Sequence, residues 1–212
     1  MTHKAIIFDL DGTILDSMPA WENIDAEFLT ENNIVPPVGL SDIMKTLSFA
    51  QSAQYFVDEF KLDKQPIQVM DRIRELVDEK YRYFIELKPY VLDFLQKQAN
   101  KGVKMCIASA THLELAVLAL KRLEIYDYFE FVLTCGDVGF GKDDPEIYLK
   151  AAEMLKIPVG EVAVFEDALH CVKTAKSVGF YVVGVYDKSA ELDTPEIIKY
   201  CDKYILGYDE LL

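Results

Sequence analysis

The sequence is poor in positive charge: 22 lysines and arginines stand against 36 aspartates and glutamates, giving a formal net charge of −14. Nucleic-acid affinity comes largely from basic side chains that displace condensed counterions, so DNA and RNA are excluded as partners. The same negative field repels phosphorylated metabolites. A phosphate site in this chain therefore requires a bound cation and local lysines to invert the potential. Long apolar runs are also missing. No stretch approaches the length of a bilayer span, and Asp9 interrupts the opening apolar residues too early for a secretory signal. No membrane contact and a cytoplasmic location are expected. Cysteine is sparse, and Cys106, Cys135, Cys171 and Cys201 show no Cys-x-x-Cys spacing. Reduced, structural thiols are expected rather than a metal or redox site. Low-complexity segments are absent, and the 212 residues suffice to bury one sizeable core with room for a smaller inserted unit.

What is present is an alternation. Short apolar runs at Lys4–Phe8, Val103–Ala108, Phe129–Leu133, Val162–Phe165 and Tyr181–Val185 read as doubly buried strands of a parallel sheet. Amphipathic stretches lie between them: Pro89–Asn100 closed by Gly102, His112–Leu123, Pro145–Leu155, and Ala168–Val178 closed by Gly179. Strands alternating with helices predict an α/β, doubly wound, Rossmann-like core. Thr111 followed by Glu114 predicts a capping box, and Asp144-Pro145 predicts an N-cap with proline at the first helical position. Residues 17–87 show helical periodicity and no strand-like run, with Pro36-Pro37 separating a first helix from a second. They predict an all-helical insert, so that residues 1–16 and 88–212 form the core. Trp21, Phe28, Phe56 and Tyr81 read as the apolar interior of that insert.

Polar clusters follow several of the strands. Asp9 and Asp11, then Gly12 and Thr13, follow the first; Ser109 follows the second; Gly141-Lys142 follows the third and its loop; Glu166-Asp167 follows the fourth. Open parallel sheets bind ligands at this carboxyl edge. Each member alone has a structural reading: a polar strand exit, a helix-entry serine, a solvated loop lysine, an acidic helix N-terminus. Together they deliver carboxylates, a hydroxyl and an ammonium to one rim, which chance explains poorly. His112 and His170 read as helix surface, and Asp16 as a residue that fixes the turn into the insert.

Asp9-Leu10-Asp11-Gly12-Thr13, then Ser109, Lys142 and Glu166-Asp167, resemble the ordered four-motif signature of the haloacid dehalogenase-like superfamily. The helical insert, with the run Asp11 to Ser17, is similar to the cap of its β-phosphoglucomutase-like subgroup. The resemblance implies an enzyme, a Mg²⁺-dependent phosphatase acting on small phosphate monoesters. By that resemblance Asp9 is a nucleophile that forms an aspartyl-phosphate, and Asp11 is the general acid and base. Asp9, Asp167 and the Asp11 carbonyl, with Glu166 in or near the shell, would hold Mg²⁺. Lys142, the Ser109 hydroxyl and the N–H groups of Leu10 and Ala110 would bind the phosphoryl oxygens. Two places depart from the usual pattern: Ala168-Leu169-His170-Cys171 replaces a Ser-Pro-x-Gly-like turn, and Asp143-Asp144 replaces a proline after Lys142. The dehalogenase and phosphonatase branches lack an acid at the position of Asp11. A sugar-phosphate mutase and a non-catalytic phospho-ligand-binding regulator are the alternatives. In the resembling mutases an arginine lies a few residues beyond Lys45 and a histidine shortly after the first motif. Phe49 and Trp21 stand at those places here, leaving Lys45 as the expected cap cation and favouring hydrolysis.

Overall fold

The computed structural model describes residues 3–44 and 47–212, apart from the side chain of Asp42. Strand β1 (Ala5–Phe8) is followed by helices α1 (Met18–Glu31), α2 (Leu40–Met44), α3 (Phe49–Phe60) and α4 (Pro66–Tyr83). Then come α5 (Val91–Asn100), β2 (Lys104–Ser109), α6 (Leu113–Arg122), β3 (Val132–Thr134), the short α7 (Cys135–Val138) and α8 (Glu146–Leu155). The chain ends through β4 (Val162–Glu166), α9 (Leu169–Ser177), β5 (Tyr181–Val185), α10 (Thr194–Tyr200) and β6 (Lys203–Ile205). Two compact units result: one comprises the chain up to Met18 together with Ile85–Leu212, the other Pro19–Phe84.

The larger unit is a six-stranded sheet in the order β3-β2-β1-β4-β5-β6, parallel throughout. Connections leave β1 toward β2 on one side and return to β4 on the other, so the switch in strand order falls at β1. A crevice opens at the carboxyl ends of strands at such a point. Pairing is in register, with Ile7 beside Val164 and Phe8 beside Phe165. Successive side chains point to opposite faces. One face carries Ala5, Ile7, Cys106, Ala108, Val162 and Val164 against Ile147, Tyr148, Ala151 and Leu155 of α8 and Val172 of α9. The other carries an aromatic cluster in which Phe8 meets Phe165 at 4.9 Å between ring centres, Phe94 meets Phe165 at 5.5 Å, and Tyr208 meets Phe94 at 5.3 Å. Both faces of the central strands are covered, which is why these segments read as unbroken apolar runs.

Several expectations shift. The third strand is regular only over Val132–Thr134, because Phe129 turns into the aromatic cluster at 6.1 Å from Phe8. A sixth strand, Lys203–Ile205, and the short α7, closed by a Thr134–Asp137 capping box, carry no apolar run and escape the sequence reading. The N-cap of α6 is His112, not Thr111, and its side chain makes no cap hydrogen bond. Asp144 accepts from the Glu146 N–H at 2.9 Å, but α8 begins one residue after Pro145.

Within Pro19–Phe84, Pro36-Pro37 lie between α1 and α2. Ser48 and Gln51 cap α3 reciprocally, and Pro66 opens α4. Phe28 and Phe56 pack at 5.3 Å, and with Tyr81 they are buried. Trp21 differs from expectation: it is 38% exposed, with its indole N–H donating to the Tyr81 hydroxyl at 3.2 Å. No helix among the described residues is long and apolar enough to cross a membrane.

Phe94 lies at the centre of the aromatic cluster and is almost fully buried. Phe94→Ala is expected to lower stability by about 3–5 kcal/mol through lost burial and a residual cavity. Urea denaturation followed by far-UV circular dichroism measures it, and a loss below about 1 kcal/mol would contradict this packing.

Candidate active site

Asp9 continues the ladder of β1, its N–H donating to the Phe165 carbonyl at 3.0 Å. It follows Ala5 and Ile7 by twos, and Glu166 follows Val162 and Val164 in the same way. Both carboxylates therefore project to the face covered by α8. The chain then folds into a tight loop in which the Ile14 and Leu15 N–H groups donate to the Leu10 carbonyl at 3.0 and 2.8 Å. Gly12 sits at φ +80°, and a Cβ there would overlap the Asp167 carboxylate. Thr13 donates its hydroxyl to Asp167 at 3.1 Å, and Tyr208 donates to the Thr13 carbonyl at 3.3 Å. The glycine and threonine of the first motif thus serve as the surface on which the aspartate of the last motif rests.

Lys142 bridges this group. Its ammonium donates to Asp9 Oδ1 and, at 2.7 Å, to Glu166 Oε1. Lys142, Asp9, Glu166 and Asp167 are all buried. Burial acts to lower the Lys142 pKa, but Asp9 and Glu166 more than offset it and hold the ammonium above the ordinary lysine range. Burial pushes the Glu166 carboxyl up, with Lys142 opposing and Asp9 and Asp167 reinforcing. Burial also raises Asp167, and Asp9 is the next cause. One ammonium does not balance these carboxylates.

Carboxylate oxygens of Asp9, Glu166 and Asp167 lie within 4.8 Å of one another. Glu166 Oε2 is buried and has no hydrogen-bond partner among the described residues. An all-oxygen, negatively charged donor set with an orphaned oxygen suits a hard divalent cation such as Mg²⁺ and gives no purchase to a soft metal. Asp11 is outside that carboxylate group; its side chain accepts from the Thr111 hydroxyl, and what it could offer a cation is its backbone carbonyl.

The structure brings the residues of the other strand ends to the same edge. Ser109 is buried at the end of β2, and its hydroxyl accepts from the Thr111 N–H at 3.0 Å. Leu10 is buried and Ala110 exposed. Thr111, read from the sequence as a helix cap, instead uses its hydroxyl on Asp11. Nothing in the sequence singles out Tyr148, yet from the first turn of α8 its hydroxyl donates to Glu166 Oε1 at 2.7 Å. Its signal, an apolar position at helical spacing, is the one every core residue gives. In the smaller unit, Phe49 is 40% exposed and the Arg74 guanidinium lies 5.3 Å from its ring. Lys45 lies outside the described residues. His112 and His170 are both exposed, His170 Nε2 lying 3.2 Å from Cys171 Sγ.

A family model for haloacid dehalogenase-like hydrolases matches residues 3–179. The chain belongs to the haloacid dehalogenase-like hydrolase family. A phosphorylated carbohydrates phosphatase of Thermotoga maritima is 31% identical over 192 residues, covering 83% of this chain and 82% of that protein. The β-phosphoglucomutase of Bacillus subtilis is 30% identical, over 86% and 83% of the two chains. Among solved structures, a family hydrolase from Entamoeba histolytica superposes with a TM-score of 0.79 at 18% identity, covering 99% of this chain and 95% of its own. These structural likenesses show that the parallel sheet is the fold of haloacid dehalogenase-like proteins.

The raised carboxyl pKa values have a signed consequence. A carboxyl raised in the folded state favours folding at low pH, and that contribution is lost as pH climbs from the ordinary carboxylate range through the raised values. A divalent cation binds only the ionised forms and so reverses the loss. The chelator-treated protein is expected to melt lower at about pH 8 than at about pH 6, and Mg²⁺ to raise its melting temperature more at the higher pH. Differential scanning fluorimetry at both pH values measures this; an equal Mg²⁺ increment would contradict it.

Proposed function

We propose that this hydrolase is a Mg²⁺-dependent phosphatase that cleaves phosphate monoesters of small metabolites through a phosphoryl group carried on Asp9. The observation that carries the reading is the buried Asp9 carboxylate, held by Lys142 beside the Glu166 and Asp167 carboxylates at the switch point of the sheet. A carboxylate fixed by an ammonium keeps one lone-pair direction for attack on phosphorus, with its rotation already restricted. Asp11, next along the same loop, would give a proton to the departing alkoxide and then take one from the water that opens the aspartyl-phosphate. Thr111 orients that carboxyl through its hydrogen bond to Oδ2. Lys142 and the Ser109 hydroxyl would neutralise and align the transferring oxygens, joined by the N–H groups of Leu10 and Ala110. Asp9, Asp167, the Asp11 carbonyl and Glu166 would hold Mg²⁺, which when bound supplies positive charge against the repulsion between a carboxylate and a phosphate dianion. The relatives named phosphatases, including a phosphoglycolate phosphatase of Shigella sonnei at 25% identity, support this class of substrate.

A second reading is favoured by one observation. A β-phosphoglucomutase of Bacillus subtilis is 30% identical over most of both chains, so a sugar-phosphate mutase is the alternative activity. Hydrolysis remains the proposed activity.

Asp9→Asn is expected to remain folded and to lose roughly 10³-fold or more in kcat on an aryl phosphate, since an amide neither attacks phosphorus nor ligates Mg²⁺ well. Retained turnover would contradict the covalent role. Ca²⁺ in place of Mg²⁺ is expected to leave the wild type inactive, because calcium prefers more ligands and longer bonds and would draw both Asp9 oxygens away from attack.

Incubation with a hexose 1-phosphate and trace hexose 1,6-bisphosphate separates the two readings. Release of inorganic phosphate is the expected result. Accumulation of hexose 6-phosphate without it would make the chain a mutase.

A further inference from the structure

We infer that Tyr148 is a positioning residue of the metal site, setting which oxygen of Glu166 faces the cation. The inference rests on the proposed reading of Asp9, Glu166 and Asp167 as a Mg²⁺ site and adds a residue to it. Glu166 Oε1 receives two donors, the Tyr148 hydroxyl and the Lys142 ammonium, each at 2.7 Å. Oε2 receives none among the described residues and is buried. A carboxylate whose one oxygen is held by two donors from different directions presents the other, with its lone pairs unused, toward whatever lies on the open side. A carboxylate oxygen of Glu166 lies within 4.8 Å of carboxylate oxygens of both Asp9 and Asp167.

Tyr148 is suited to this by its own fixity. It is fully buried in the first turn of α8, and its ring stands edge-on to Phe180 at 6.3 Å. The Lys142 ammonium lies 5.8 Å from its ring centre, so the same side chain borders both partners of Glu166 Oε1. Outer groups that orient metal-ligating carboxylates typically influence affinity by about 10–100-fold. The competing view is that Tyr148 is an aromatic of the core whose hydroxyl takes the nearest acceptor.

Tyr148→Phe separates the two, because it keeps the ring, its packing and its edge toward Lys142 while deleting the hydroxyl. Chelator-treated wild type and variant are titrated with MgCl₂, and melting temperature is followed as a function of Mg²⁺ concentration. The same titration is repeated with turnover of an aryl phosphate as the readout. A positioning role is expected to raise the Mg²⁺ concentration for half-maximal stabilisation by about tenfold, and the KM for Mg²⁺ in parallel, with the change in kcat at saturating Mg²⁺ much smaller. A purely structural role lowers the melting temperature in chelator and leaves the Mg²⁺ dependence where it was, and that result overturns the inference. Wild type that shows no Mg²⁺ response overturns both this inference and the proposed metal site. A wild type that binds Mg²⁺ yet hydrolyses no phosphate ester overturns the phosphatase reading alone, while the stabilisation titration still decides the role of Tyr148.

Discussion

The buried bridge from Lys142 to Asp9 and Glu166 is the constraint on which the rest of this site depends. Buried carboxylates on two adjacent strand ends repel one another in a medium that screens poorly, and removing either from water costs several kcal/mol. The ammonium between them is what permits both to remain there. It arrives from the loop between α7 and α8, not from the sheet. Asp167 is left outside the bridge and leans on Thr13 and the Gly12 turn. Once Glu166 and Asp167 ionise, three carboxylates face one ammonium, and a divalent cation would offset that excess.

The sheet supplies the geometry without any residue chosen for it individually. Parallel pairing in register puts Asp9 level with Glu166, and the two-residue period turns both toward α8. The same period sends Phe8 and Phe165 to the opposite face, where they form the aromatic cluster with Phe94 and Tyr208. Tyr208 belongs to both systems, since its ring stacks on Phe165 at 6.0 Å and its hydroxyl reaches the Thr13 carbonyl. A rigid core therefore continues directly into the loop that carries the candidate nucleophile. That continuity suits chemistry in which small displacements of the attacking atom are costly.

The sequence reveals the main chain of this protein better than its side-chain contacts. Apolar runs closed by acids locate β1 and β4 and the residues at their ends, because a strand buried on both faces must be apolar until it reaches the rim. Strand β6 escapes, since Lys203-Tyr204-Ile205 is a short edge segment with only its last residue buried. Thr111 illustrates a local pattern overridden by tertiary contact: threonine with glutamate three residues on resembles a capping box, yet the hydroxyl goes to Asp11 across 100 positions of sequence. Tyr148 illustrates the opposite problem. Its helical spacing marks it as core, which it is, and nothing in a linear pattern says that its one polar atom ends against Glu166. Trp21 shares the apolar periodicity of the insert's interior, but its ring is partly exposed and its indole N–H donates to the Tyr81 hydroxyl.

The relatives combine phosphatases and a mutase on one sheet, and the chemistry proposed here accounts for that. Both reactions share every step up to the phosphoryl group on Asp9, and both then need a base to deprotonate an incoming hydroxyl. Asp11, oriented by Thr111, would serve either, whether the hydroxyl belongs to water or to a sugar. In that proposal Asp9, Lys142, Glu166 and Asp167 would act on phosphorus and be indifferent to the acceptor. Discrimination must therefore come from groups that hold the rest of the substrate, and a distal phosphate is the largest feature they could hold. A single flexible ammonium binds such a group as a point charge, whereas a guanidinium binds it in two directions. Which of the two reactions a member of this family performs is therefore decided by how tightly the acceptor's own substituents are bound, and not by the chemistry at phosphorus.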